Sequence, residues 1–141
     1  MIELITPIHP KLVHFPIALF VSAVVFELLS IVFRREGLHK TAVNMYILAA
    51  LVTPLVVRTG IWEAERLNLN HPILDAHRKY ALWTMWGSLM SLPVLWLLKK
   101  EFTKYFRVIF FLILIGVVSV VSLAGHNGGA MVYEYGVGIE E

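Results

Sequence analysis

The sequence predicts an all-α integral membrane protein, a four-helix up-down bundle with both termini extracytoplasmic, formed as a single domain over residues 1–141. Three observations carry this. Of the 141 residues, 58% are hydrophobic and only 16% charged, whereas soluble domains are about half apolar and a quarter charged. The apolar residues gather in four runs, each near the roughly 20 residues that cross the hydrocarbon core as a helix. The connections between runs are short, so consecutive helices are antiparallel neighbours.

The first span is expected over residues 15–33, introduced by "HPKLVH", where proline suits the first helical turn. Met1 to Pro10 carries no positively charged leader, so this span is read as an uncleaved anchor. Glu27 lies within it, and an intramembrane carboxylate marks a functional or hydrogen-bonded position; Asn44 across the hairpin is its expected partner. The second span covers residues 41–62 and contains Pro54, with Arg58 near its end. The third covers 80–98, introduced by "HPILDAH" and broken by Pro93. The fourth covers 106–124 and is followed by "GHNGG", whose glycines permit a helix cap or close backbone approach. The tail "AMVYEYGVGIEE" is too polar to span and is read as folding back over the histidine-bearing end.

Orientation follows from Lys and Arg near the span ends. One side holds Arg34, Arg35, Lys40, Lys99, Lys100, Lys104 and Arg107. The other holds Lys11, Arg58, Arg66, Arg78 and Lys79, diluted by acidic residues. The first side is therefore expected to be cytoplasmic. The basic balance reflects membrane anchoring, and no nucleic-acid partner is expected. Aromatic residues at span ends, including Trp62, Trp83 and Trp96, fit interfacial belts.

There is no cysteine, which excludes disulfides, cysteine-ligated clusters and covalent haem attachment. Histidine is plentiful at six. His14, His77 and His126 all fall within about one turn, roughly 5 Å, of the same outer boundary, with His9 and His71 slightly further out. Only His39 is on the cytoplasmic side. Below His14 run Ala18 and Ser22; below His77 run Ala81, Thr84 and Ser88; above His126 run Ser122 and Ser119. Such small and hydroxylated stripes leave room for a flat ligand between helices, and they also let membrane helices pack closely.

Neutral imidazole is the commonest metal ligand and an axial ligand for haem iron. The expected ligands are His14, His77, His126 and His9, paired as His14 with His77 or His77 with His126. Arg58, Arg78 and Lys79 stand at the level of haem carboxylates, with Ser22, Thr84 and Ser122 lining the slot. This reading is a b-type cytochrome or cytochrome-like subunit holding haem b near the outer leaflet for electron transfer. Its alternatives are a histidine-ligated copper or zinc protein and a cofactor-free structural or assembly subunit. Nothing resembles a nucleotide loop or a hydrolase site, so independent catalysis is not expected.

"HPKLVHFPIAL" together with "GHNGGAMVYEYGVG" resembles the bacterial membrane proteins of domain-of-unknown-function family 2231. The matched positions are His9, Pro10, Val13, His14, Phe15 and Pro16, then His77, then Gly125, His126, Gly128, Gly129, Val132, Tyr133, Gly136 and Gly138. The resemblance implies a four-span protein of the bacterial inner membrane. It also implies a setting beside cytochrome c and Rieske-like domains, and so electron exchange with quinol or an extracytoplasmic redox partner. A homo-oligomer or a subunit of a larger complex is expected.

Overall fold

The computed structural model describes residues 8–101 and 103–137. Met1–Pro7, Gly138 and the end of the tail lie outside the described residues. The fold is all-α: a short α1 (His9–Leu12) followed by α2 (His14–Phe33), α3 (Glu36–Arg66), α4 (Pro72–Glu101) and α5 (Thr103–Tyr133). Among the described residues four helical segments are long and apolar enough to cross a membrane, α1 joining α2 in the first.

Each of the last three helices outruns its apolar span. Thirty-one residues of α3 or α5 extend about 45 Å at 1.5 Å per residue, against a hydrocarbon core of about 30 Å. Backbone hydrogen bonding does not stop where hydrophobicity does, so the polar flanks stay helical. The helix starts and ends inferred from hydropathy are accordingly too tight. His77 lies inside α4 instead of before it, and His126 lies inside α5. "GHNGG" continues the helix instead of capping it.

The interruption between α1 and α2 has a covalent cause. Pro16 has no N–H to offer the carbonyl of Leu12, and its ring crowds that turn. Val13 nonetheless keeps helical angles (φ −60°, ψ −31°), so α1 leads directly into α2. The α2–α3 turn uses Arg34 in the left-handed region (φ 53°), with the Arg35 N–H donating back to the Ser30 carbonyl at 3.2 Å. This is a Schellman-type ending. Asn68 (φ 51°) ends α3 in the same way.

On every long helix a seam of buried positions advances in steps of three and four, with Ala50, Glu63, Met85 and Ala130 buried beside or beyond it. The seam runs through Pro16, Phe20, Ala23, Glu27 and Ser30 on α2, and His39, Ala42, Tyr46, Ala49, Thr53 and Val56 on α3. Thr84, Ser88, Ser91 and Leu95 serve α4, and Phe106, Phe110, Leu114, Val117, Val121 and Ala124 serve α5. That spacing is the seam pattern of near-parallel helix packing. The middle of the seam is apolar and aromatic, with the Phe20 and Tyr46 rings 5.5 Å apart and Tyr46 and Phe110 5.7 Å apart. Outward positions such as Val32, Leu51, Leu55, Val108 and Leu112 are exposed, as befits a lipid-facing surface.

Polar seam residues are satisfied locally. Ser91 Oγ donates to the Ser88 carbonyl at 2.6 Å, so Tyr46 Oη donates to Ser91 Oγ at 2.6 Å and ties α3 to α4 midway. Among the described residues no buried side-chain nitrogen or oxygen lacks a partner.

Candidate functional site

Continuing the α2 seam backwards by three and four from Pro16 reaches Val13 and then His9. Continuing the α4 seam from Thr84 reaches Ala81 and His77. These two histidines therefore point into the bundle at one end, and their rings meet: the centroids lie 6.2 Å apart with the planes at 80°. Both are half-buried.

Each ring is held by the backbone of a facing helix. His9 Nδ1 lies 3.0 Å from the Val56 carbonyl and 3.3 Å from Thr59 Oγ1, while the Thr59 hydroxyl donates to the same carbonyl. His77 Nδ1 lies 2.8 Å from the Ala124 carbonyl. A carbonyl only accepts, so Nδ1 carries the hydrogen in both rings. In the neutral ring Nε2 then presents its lone pair. A hydrogen bond from one ring nitrogen to a carbonyl is the arrangement that orients metal-ligating histidines.

Glycine makes the close approach possible. A Cβ on Gly60 would stand 2.7 Å from His9 Cε1, and one on Gly128 would stand 3.3 Å from the His77 ring. The pair lines a recess of about 160 Å³ together with Gly60, Glu63, Ala81 and Arg78. Glu63 is buried. A smaller cavity of about 50 Å³ lies on the seam side of the same two rings, with Thr84 in its wall. The tail contributes as well, since Met131, Val132 and Val137 line the larger recess, and Tyr135 packs its ring 4.9 Å from that of His71.

The other expected site residues lie elsewhere. His14 is exposed, its Nδ1–H donating to the Pro10 carbonyl of its own turn at 2.7 Å. His126 is exposed on α5. Of the four expected ligands, the structure brings His9 and His77 together and leaves His14 and His126 exposed. Positions 14 and 126 are out of phase with the seam. Ser122 is exposed and donates to the Val118 carbonyl of its own helix. Ser22 is half-buried, and the Thr84 hydroxyl donates to the Tyr80 carbonyl. Arg58 is exposed, Lys79 sits 4.8 Å over the Trp83 ring, and Arg78 alone of the three lines the recess. No three His, Asp or Glu side chains form a metal-holding group among the described residues.

The two "HP" motifs are not equivalent in space. His9, the first histidine of one, reaches the seam, whereas His71, the first of the other, accepts the Ile73 N–H at the start of α4. The seam histidine of the second motif is its last, His77.

A second cluster occupies the opposite end, and the sequence pointed to the wrong partner for it. Glu27 is fully buried. It accepts from His39 Nδ1 at 2.6 Å and from Arg107 Nε at 3.1 Å. Arg107 also donates to Ser30 Oγ. Asn44 is exposed and does not meet Glu27. The missed signal is hairpin symmetry: Glu27 and His39 stand six residues either side of Phe33, as Phe20 and Tyr46 stand thirteen.

Against known proteins, the family model for DUF2231, described as a predicted membrane protein, matches residues 5–141. The chain belongs to the DUF2231 family. No curated protein and no solved structure matches it. Family membership and the four apolar helices together make this DUF2231 chain a membrane protein in contact with a lipid bilayer.

Proposed function

We propose that this DUF2231 chain is a b-type cytochrome-like electron-transfer subunit of the bacterial inner membrane, with His9 and His77 as the haem ligands. The observation that carries the reading is the ring pair itself, 6.2 Å between centroids with both Nδ1–H groups tied to carbonyls. Two neutral imidazoles whose Nε2 lone pairs are left free by the carbonyl contacts are a donor set that could hold haem iron. Zinc sites take three or four protein ligands, whereas the axial positions of haem take two.

What favours a macrocycle over a bare ion is the two-imidazole donor set, which no third His, Asp or Glu completes among the described residues. Gly60, Ala64 and Ala81 make small walls, and the guanidinium of Arg78 at the recess suits a carboxylate. Bound haem would supply one-electron chemistry. The chain's own residues hold the ligand tautomers, exclude water with the apolar tail and offer charge at the rim. On the outer side, where the Lys and Arg distribution would put it, the site would exchange electrons with quinol or an extracytoplasmic partner.

The test is the visible spectrum of the purified protein, oxidised and then reduced with dithionite, with haem supplied during expression. Sharp Soret and α bands are expected, lost in His9→Ala and His77→Ala and kept in His14→Ala and His126→Ala. A colourless protein under haem-replete conditions, or bands that survive both seam variants, overturns the reading.

A further inference from the structure

At the other end of the bundle from the histidine pair, α3, the end of α4 and the start of α5 enclose a recess of about 440 Å³. Lys40, Lys99 and Arg107 line it, with Glu36 as the only acid among its described lining residues. Asn44 adds a neutral amide, and Val43 and Phe106 an apolar part of the wall. His39, 6% exposed, also lines it while its Nδ1–H is committed to Glu27.

We propose that this recess binds a phosphate-class anion, the phosphate group of an anionic phospholipid or inorganic phosphate. Arg107 is preorganised for the task. Its Nε and one terminal nitrogen are used on Glu27 and Ser30, and a guanidinium has five donor hydrogens, so donors remain. Glu27 holds this side chain in place in the wall of the recess, while the exposed Lys40 and Lys99 bring ammonium groups to the same wall. Basic pockets between membrane helices are known to take phospholipid head groups. Leu97, Val108 and Leu112 are exposed on the neighbouring faces of α4 and α5, which gives acyl chains an apolar surface to lie along. The site is independent of the histidine pair and needs no cofactor.

The experiment uses the full chain in neutral detergent. Native mass spectrometry compares phosphatidylglycerol with zwitterionic phosphatidylcholine, and equilibrium dialysis measures inorganic phosphate. One phosphatidylglycerol per chain is expected, held at least tenfold tighter than phosphatidylcholine. The Lys40→Gln/Lys99→Gln variant should lose at least tenfold, and Lys40→Arg/Lys99→Arg should keep the affinity. Lys99→Gln alone, an exposed change in the last turn of α4, repeats the measurement should the double variant misfold. Saturable binding of inorganic phosphate, lost in the same variants, would support the site with a soluble source instead. Equal retention of every probe by the wild type and the Gln variants overturns it.

Discussion

At the scale of single residues, the decisive atoms are two glycine α-carbons. Gly60→Ala would drive a methyl group to 2.7 Å from His9 Cε1, so either ring or helix must move. We expect a loss of about 1–3 kcal/mol of stability from such overpacking, read as earlier unfolding on heating in detergent; were haem held as proposed, its retention would fall alongside. Gly128→Ala meets the His77 ring at 3.3 Å and should cost less. Gly87→Ala and Gly116→Ala meet nothing within 4 Å. They should be neutral or stabilising by up to about 1 kcal/mol, the helix preference of alanine over glycine. If all four variants behave alike, the tight ring-to-backbone approach is not what these glycines serve. Histidine enrichment at one end was legible from composition and span order alone. Which histidines face inward was not, because distance from a span end says nothing about angular position. Carrying the three-and-four step of Phe20, Ala23 and Glu27 back to His9 would have supplied it.

At the scale of helices, the buried charge cluster joins α2, α3 and α5. Breaking a buried pair by deleting one partner costs about 3–5 kcal/mol. The Arg107 side chain is 37% exposed and can turn to solvent, so the lower end is expected for Glu27→Ala. Glu27→Gln keeps the shape and one acceptor and should cost less. Thermal unfolding of the two variants checks the order, and a harmless Glu27→Ala would mean the cluster is not holding the helices. Tyr46→Phe removes the tie between α3 and α4 but leaves Ser91 bonded to Ser88. A loss of about 0.5–1.5 kcal/mol is expected, the net worth of one hydrogen bond. The helices themselves were readable from four apolar runs, while their ends were not, since main-chain hydrogen bonds carry α3, α4 and α5 well past the greasy stretch. Glu27 announced itself as a seam residue by charge. Its partners did not, because Arg107 is eighty positions away in the chain.

For the whole molecule, Arg34, Arg35, Lys40, Lys99 and Arg107 belong to one end and the histidine pair to the other. By the asymmetry of basic residues, a phosphatase fused after Glu141 should be active outside the cytoplasm, and an inactive fusion would invert the arrangement. The described ends of the chain meet at the histidine-bearing end, where Val137 shares a recess with His9.

The Tyr46–Ser91 bond stands between two hollows that open at opposite extremities of the same α3–α4 contact. It pins the two helices to each other at mid-length, close to where Pro54 and Pro93 interrupt their backbone ladders. Should both hollows fill, any change that one occupant made to the grip on the other would be returned by the same factor.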